Sequence, residues 1–284
     1  MTRLIVNADD FGLTAGVNRA ITELNQAGSV TSTTLMARAG ATEAAIKIAL
    51  STNTLGVGCH VVLLDGAPVL PPQQIPTLID QRTKTGRLQP TLSRFLQRML
   101  TGRVQPDEIE AEAGAQIALL QSRGVSLTHI DTHKHVHMFP AVLRPLLRAA
   151  KAAGIHTVRN PFEPSWSLRA TPNAPWFRRA EVSLLRRLQP VFRSIVADEG
   201  FTTTDGAIGV LATGTLDAAT VVSLLQKLPP GTWELVAHPG YNDDDLAQAH
   251  TRLLASRETE RDALRTLQRF PAVELISFAS LNPV

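Results

Sequence analysis

The sequence predicts an α/β fold, built as a distorted, TIM-like (β/α) barrel of mostly parallel strands, in a single domain that covers residues 1–284. Short apolar runs typical of buried strands alternate with helix-like segments along most of the chain, and this alternation favours a parallel sheet. A chain of 284 residues suits one large α/β domain as easily as two small ones. Near this length a closed or distorted barrel is the leading architecture, with a doubly wound sheet as the alternative.

About eight strands are expected, each an apolar run bounded by turn-forming residues. They are Leu4–Asn7, Ser29–Met36, Leu55–Leu63, Leu127–His133, Thr157–Arg159, Ala207–Leu211, Trp233–Ala237 and Glu274–Phe278. Helical spacing of apolar residues predicts the segments between them. These are Ala15–Gln26, Thr42–Leu50, Leu92–Leu100, Pro106–Arg123, Ala141–Ala153, Trp176–Val196, Asp217–Leu228 and Ser256–Arg269. Two long loops, 65–90 and 160–175, exceed what connections need, and such loops are usually functional.

Composition excludes several classes of partner. The net charge of +3 is too small, and the basic residues too scattered, to indicate nucleic-acid binding. The single cysteine, Cys59, excludes an internal disulfide and a cysteine-based zinc site, which suits a reducing compartment. No signal peptide is visible, and no apolar run is long enough to span a bilayer. We therefore expect a cytoplasmic protein.

Two adjacent carboxylates, Asp9 and Asp10, follow the first apolar run, where a strand should end and a loop begin. Carboxylates are rarely buried unless they are paired or bind a metal, and strand ends are where catalytic residues of α/β folds gather. Side chains of adjacent residues diverge in an extended segment, so one can bind a metal while the other acts as a base. The alternative is an aspartate-rich cap for the helix that begins near Thr14.

The densest group of candidate ligands is the segment 128–137, which contains half of the eight histidines. If this segment stays extended, alternation places five side chains on one face. They are His129, Asp131, His133, His135 and His137. Imidazole is the commonest metal ligand, and an Asp/His/His set suits a divalent ion with open positions for water and substrate. The alternative is an exposed polar strand.

Three further residues are candidates on weaker grounds. His60 follows Gly56–Cys59, where small residues let another group approach the backbone, but an ordinary core or surface histidine explains it as well. His238 precedes Pro-Gly at a strand end, and a turn-capping histidine is the alternative. Arg159 can hold a substrate anion, orient Asp9 or form an ordinary salt bridge.

These motifs together resemble the YdjC-like carbohydrate deacetylases. The resemblance spans nearly the whole chain, in order, through Asn-Ala-Asp-Asp-Phe-Gly at 7–12, Gly-Cys-His at 58–60, the histidine-rich run at 128–140 and His-Pro-Gly-Tyr at 238–241. It implies a distorted barrel and one divalent ion, magnesium or zinc, on Asp10, His60 and His133. It also implies that Asp9 acts as the base and His238 as the acid while metal-activated water removes an N-acetyl group from an amino sugar.

The resemblance leaves the surrounding residues less defined. Asp131, His135, His137, Arg159 and Trp166 are expected to support the ligands or to contact the substrate, and Asp131 is a plausible partner that orients a ligand imidazole. Lys134 stands where relatives often carry another histidine, so it is not assigned as a ligand. Two rival functions stay open: another metal-dependent hydrolase such as a phosphoesterase, and a non-catalytic sugar-binding protein. A binding protein would not need the base Asp9.

The substrate is either a free oligosaccharide or a lipid-linked sugar. The stretch Val158–Pro164 is similar to the branch of the family associated with hopanoid biosynthesis (HpnK-like). Trp176–Val196 and Leu92–Leu100 each combine an apolar face with arginines. Either both helices simply pack on the barrel, or their apolar faces border the site, hold the hydrocarbon of a glycolipid and contact the inner membrane surface. A homo-oligomer without nucleic-acid partners is also expected.

Overall fold

A computed structural model describes residues 2–172, 174–249, 251–270 and 273–281. Its strands are β1 (Thr2–Phe11), β2 (Ser32–Leu35), β3 (Gly56–Val61), β4 (Ile130–Thr132), β5 (Gly206–Ile208), β6 (Gly231–Ala237) and β7 (Glu274–Ile276). Its α-helices are α1 (Ala15–Gln26), α2 (Thr42–Ser51), α3 (Leu92–Leu100), α4 (Pro106–Ser122), α5 (Pro140–Ala152), α6 (Ser165–Ala170), α7 (Trp176–Leu185), α8 (Gln189–Asp198), α9 (Ala218–Gln226), α10 (Asp244–Gln248) and α11 (Ser256–Leu264). Short 3-10 helices cover His133–Met138, Arg186–Leu188, Arg265–Arg269 and Phe278–Leu281.

The sheet is parallel at every described strand pair, in the order β4-β3-β2-β1-β6-β5, and β7 pairs with the first half of β1. The central strand β1 is buried from Leu4 to Phe11, because helices cover the outer face of the sheet and its curvature encloses the inner one. Its register with β6 runs without interruption from Thr2 to Ala8. The carboxyl ends of all these strands therefore lie at one end of the fold.

The two edges of the sheet approach each other through the extended segment 157–162. Ile130 at the β4 edge forms a parallel bridge with Val158. At the β5 edge, the backbone N–H of Ala207 donates to the carbonyl oxygen of Phe162 at 3.2 Å. The sheet thus curls into a distorted barrel, which confirms the predicted fold class. The extension of one domain over the full range 1–284 stays a prediction.

The structure corrects three predicted elements. β4 is shorter than predicted: it begins at Ile130 instead of Leu127, and it ends at Thr132 because a 3-10 helix with left-handed backbone angles at Lys134 and His135 (φ 58° and 53°) follows. The predicted strand Thr157–Arg159 forms only isolated bridges. The predicted helix Trp176–Val196 is divided into α7, a 3-10 turn and α8. Pro190 explains the division, since its ring lacks an N–H and clashes with the carbonyl four residues earlier.

The two long loops differ from each other. Residues 65–90 are irregular, as predicted, apart from an antiparallel bridge between Ile79 and Leu88. The predicted loop 160–175 contains the short helix α6. Among the described helices, none combines the length and the apolar character that crossing a bilayer requires.

Candidate active site

Four strands deliver polar side chains to the same end of the barrel. β1 ends on two aspartates, β3 carries a histidine near its end, β4 carries an aspartate and is followed by a histidine, and β6 is followed by another histidine. In that order the residues are Asp9, Asp10, His60, Asp131, His133 and His238. All but His133 are buried. The parallel sheet brings these residues together from positions far apart in the sequence.

Asp10, His60 and His133 form a compact triangle of donor atoms. Asp10 Oδ1 lies 3.5 Å from His60 Nε2 and 3.4 Å from His133 Nδ1. The two imidazole nitrogens are 3.3 Å apart. Atoms that bind one tetrahedral zinc ion at 2.0–2.1 Å lie about 3.4 Å from each other. The three residues therefore fit a divalent ion, and the side chain of His133, 20% exposed, leaves the site open to the cleft.

The backbone at Asp10 explains how two adjacent aspartates serve different partners. Asp10 has a φ of 63°, a left-handed conformation that aspartate adopts more readily than most residues. The register between β1 and β2 shifts over the same stretch, between Ala8 and Phe11. This irregularity directs Asp10 toward His60 and His133, whereas Asp9 points toward Arg159. The side chains diverge, as the sequence predicted, although the cause is a bulge and not a regular pleat.

Arg159 is fully buried and bridges three carboxylates. It binds Asp9 with two nitrogens, at 2.6 Å to Oδ1 and 2.8 Å to Oδ2. Its Nε donates to Glu234 Oε1 at 2.7 Å, and the NH1 nitrogen that binds Asp9 Oδ2 also donates to Asp131. Burial alone would raise the pKa of Asp9, but the guanidinium lowers it well below the usual range. Asp9 is therefore ionised over the whole physiological range.

His60 is held between the two sides of the site. Its Nδ1 contacts Asp131 Oδ1 at 2.7 Å, so Nε2 is the nitrogen that faces Asp10 and His133. Burial opposes the charge on the ring, but Asp131 outweighs it and raises the pKa of His60 to about 9. The pKa of Asp10 lies well below its usual range despite burial, chiefly because of Arg257 and His133.

A second group of potential ligands adjoins the first. Asp9, His60 and Asp131 have donor atoms within 4.8 Å of one another. Arg159 already binds both of these carboxylates, and its positive charge would repel a cation placed between them. The group of Asp10, His60 and His133 is therefore the better cation site.

His238 lies between two carboxylates, those of Asp9 and Glu260. Its Nε2 is 3.7 Å from Asp9 Oδ2, and its Nδ1 is 3.6 Å from Glu260 Oε2. Burial lowers the pKa of this histidine, but Glu260 and Asp9 overcome it and raise the pKa above the usual value. The raised pKa favours the protonated form of His238 beside the ionised carboxylate of Asp9.

The predicted single face of His129, Asp131, His133, His135 and His137 is wrong, because the chain does not stay extended after Thr132. The remaining candidate histidines therefore lie in different places. His129 stacks on Phe278, with ring centroids 3.8 Å apart. A side chain at Gly58 would come within 2.5 Å of this ring, so His129 is the group that approaches the small residues before His60. His137 Nδ1 forms a 2.7 Å hydrogen bond with the hydroxyl of Thr132.

His135 and Trp166 also differ from each other in position. His135 lines the cleft, and its pKa is lowered to about 3, first by burial and then by Arg159. Trp166 packs edge-on against Trp233, with ring centroids 5.3 Å apart, near the start of β6 and away from the described cleft. Lys134 pairs with Asp65 at 2.5 Å at the mouth of the site.

Two cavities meet at the triangle of donor atoms. One of about 500 Å³ reaches Asp9, His60 and His238 and has an apolar wall from α3, α7 and neighbouring segments. This wall comprises Leu92, Leu96, Met138, Phe139, Val182, Leu184 and Leu185. The other, of about 1140 Å³, is lined by charged residues that include Arg38, Glu43, Lys47 and Arg87. Asp10, Asp65, His133 and Thr251 line both, so the site is open to a long ligand with one polar and one apolar side.

Comparison with known proteins assigns the chain to a family. The family model described as YdjC-like protein matches residues 3–270. The chain belongs to the YdjC-like family. A carbohydrate deacetylase from Halalkalibacterium halodurans is 32% identical over 276 residues, which cover 96% of this chain and 100% of that protein. A carbohydrate deacetylase from Brevibacillus brevis is 43% identical over 149 residues, which cover 52% of this chain and 56% of that protein.

A crystal structure from Enterococcus faecalis V583, provisionally described as a cellobiose-phosphate cleavage protein, has the same fold. It covers 99% of both chains with a TM-score of 0.79 and 24% sequence identity. The YdjC-like chain thus shares its barrel with a relative of low sequence identity.

Sequence reasoning missed three buried charged residues that contact the candidate site of this YdjC-like protein: Glu234, Arg257 and Glu260. The sequence does contain an indication for Glu234, since a glutamate within the apolar run Trp233–Ala237 needs a buried partner. Burial raises its pKa to about 7 in spite of Arg159. The sequence contains no such indication for Arg257 and Glu260, because charged residues are ordinary on a surface helix.

Proposed function

We propose that this YdjC-like protein removes an N-acetyl group from an amino sugar by hydrolysis and that the reaction depends on one divalent ion, magnesium or zinc. The observation that carries the proposal is the arrangement of a three-donor cation site beside an ionised carboxylate, Asp9, which is itself next to a histidine of raised pKa, His238. The relatives named carbohydrate deacetylases support the substrate class.

Two residues transfer protons in the proposed reaction: Asp9 accepts one and His238 donates one. An ion on Asp10, His60 and His133 would supply Lewis acidity, which lowers the pKa of water from near 16 toward about 7. Asp9 accepts a proton from the water whose oxygen attacks the amide carbonyl carbon. His238 gives its proton to the nitrogen as the carbon–nitrogen bond breaks, since an amine anion is a poor leaving group. The products are acetate and a free amino sugar.

The reaction can be tested directly against its rivals. We expect the purified protein, incubated with zinc or magnesium, to release primary amine from N-acetylated sugars and to lose this activity on chelation. A generic phosphodiester should not be cleaved. Phosphodiester cleavage without amine release would favour a phosphoesterase, whereas sugar binding without turnover would favour a binding protein.

The pH dependence of kcat should report His238. An acid must be protonated to act, and the pKa of His238 is raised above the value near 6.5 that is usual for histidine. We therefore expect kcat to fall as pH rises through this raised pKa, at a higher pH than an ordinary histidine would give. A pH profile with saturating substrate and metal measures it. A fall in kcat on the alkaline side that begins below about pH 6 would exclude His238 as the acid.

The apolar cavity favours a lipid-linked substrate within the same proposal. Leu184 lines this cavity and is 59% exposed, and Trp176 and Phe177 on the same helix are 80% and 57% exposed. Arg187, in the 3-10 turn that follows this helix, is also exposed. An acetylated sugar on a rigid apolar body, such as a hopanoid-type glycolipid, would place its sugar at the donor atoms and its hydrocarbon on this wall. The reaction would then take place in the cytoplasm at the inner membrane surface.

Vesicle binding separates the lipid-linked from the free substrate. We expect the protein to co-sediment with anionic vesicles at low salt and less at high salt, because exposed arginines and aromatic side chains favour an anionic interface. Trp176→Ser with Phe177→Ser should weaken sedimentation, and Leu50→Ser, on the distant helix α2, serves as the matched control. A protein that ignores vesicles and prefers soluble chito-oligosaccharides would contradict the lipid-linked substrate.

A further inference from the structure

Helix α11 reaches the metal side of the candidate site through Arg257. This side chain is buried, and its NH2 nitrogen donates to Asp10 Oδ2 at 2.6 Å. Its Nε donates to the carbonyl oxygen of Leu253 at 3.0 Å, which fixes the guanidinium from the other end. Because Oδ2 of Asp10 is engaged in this way, Oδ1 is the oxygen that faces His60 and His133. Arg257 thus determines which oxygen of Asp10 is presented to a cation.

The same helix reaches the acid side through Glu260, three residues later. Glu260 Oε2 accepts from the backbone N–H of His238 at 2.6 Å and lies 3.6 Å from its Nδ1. Glu260 Oε1 accepts from the backbone N–H of Gly214 at 2.9 Å, so the carboxylate is held between two strand-end loops. This arrangement leaves Nε2 of His238 directed toward Asp9.

Backbone and surface contacts of α11 hold the loop that follows β6. The N–H of Gly240 donates to the carbonyl oxygen of Arg257 at 3.2 Å, and a side chain at Gly240 would lie 3.0 Å from Arg257 Cδ. Arg261 and Arg19 both lie over the ring of Tyr241, at 4.2 and 3.5 Å from its centroid. The loop therefore packs directly on α11.

We propose that Arg257 and Glu260 are positioning residues. Through them a single helix, α11, orients both the carboxylate of the metal ligand Asp10 and the ring of the acid His238. The inference rests on the proposed function, because the ion and the acid are those of that site. Arginine and glutamate are rarely buried without a partner, and these two have their partners at the carboxyl ends of β1 and β6. Residues that support metal ligands typically change metal affinity by 10–100-fold when they are replaced.

The Arg257 half of the proposal is tested by titrating zinc into the metal-free protein. Arg257→Met should bind zinc 10–100-fold more weakly than the wild type, with the alkaline fall in kcat unmoved at saturating zinc. Arg265→Met, on an exposed arginine just after α11, is the matched control and should bind zinc normally. If Arg257→Met does not fold, Arg257→Lys keeps the charge, and a smaller loss of affinity is expected. Normal zinc affinity in either folded variant would overturn this half.

The Glu260 half is tested by the pH profile of kcat. The groups that face His238 are Asp9 and Asp10 from β1, Glu260 from α11 and His135 from the turn after β4. Glu260→Gln removes one negative charge, so the alkaline fall in kcat should move to lower pH while zinc affinity and KM are retained. Glu258→Gln, the same change at a half-exposed position of α11, should leave the profile unmoved.

The two halves fail in ways that differ from a failure of the proposed function. An unmoved pH profile in Glu260→Gln would mean that Glu260 is only structural. A shift equal to that of Glu258→Gln would mean the same. If the wild type itself neither binds zinc nor releases amine, the proposed deacetylase is wrong, and the positioning roles are rejected with it.

Discussion

Replacing Asp9 by asparagine is expected to reduce kcat by about two to four powers of ten, the usual loss when a general base is removed. Asparagine cannot accept the proton from the attacking water, but it has nearly the same shape and can still accept a hydrogen bond from Arg159. Zinc affinity should be retained, because Asp9 is not one of the three residues whose donor atoms form the triangle. Turnover and zinc titration measured on the same preparation give both quantities.

The matched variant is Asp10→Asn, which should lose zinc affinity together with activity. The two aspartates are adjacent, buried and of equal size, so the comparison isolates their roles. If Asp9→Asn loses zinc and Asp10→Asn keeps it, the assignments of base and ligand are reversed, and the group of Asp9, His60 and Asp131 becomes the cation site.

Replacing Arg159 by methionine is expected to lower the free energy of unfolding by about 3–5 kcal/mol, the range for breaking a buried ion pair from one side. The effect arises because Asp9, Asp131 and Glu234 would be left buried close together without a positive partner. Chemical denaturation of the metal-free protein measures it. The control is Arg148→Met, because Arg148 forms a half-exposed pair with Glu110 and should cost less than about 1 kcal/mol.

The Arg159 variant also has a clear contrary outcome. If it unfolds with the same free energy as Arg148→Met, the three carboxylates do not depend on the guanidinium, and the raised pKa of Glu234 lets it absorb the charge by protonation. In that case, adding Glu234→Gln to Arg159→Met would not raise the free energy of unfolding. We expect instead that Arg159→Met lowers the free energy of unfolding strongly and that adding Glu234→Gln recovers part of it, because one buried negative charge is removed.

The candidate site residues were predicted from the points where polar residues interrupt apolar runs. Asp10 and His60 follow this rule, since each stands at the end of a strand that is otherwise buried, and parallel strands bring such ends together. His133 was found through the density of histidines around it, although the extended segment assumed for it was wrong. The left-handed angles at Lys134 and His135 depend on tertiary contacts, such as the pair between Lys134 and Asp65, that local propensity does not contain.

The residues that sequence reasoning missed share a different property. Arg257 contacts an aspartate 247 positions away, and Glu260 contacts a backbone N–H 22 positions away. Neither spacing produces a pattern, and charges on a helix normally indicate a solvated face. Only the packing of α11 against the strand ends shows that these two charges point inward.

The most direct measurement of the central claim is a crystal structure of the zinc-loaded protein with anomalous scattering recorded at the zinc edge. We expect one strong anomalous peak at about 2.0–2.2 Å from Asp10, His60 and His133. The same peak should be absent from His60→Ala crystals that were loaded identically. A peak elsewhere in the wild type, or occupancy that survives in His60→Ala, would show that these three residues do not form the cation site.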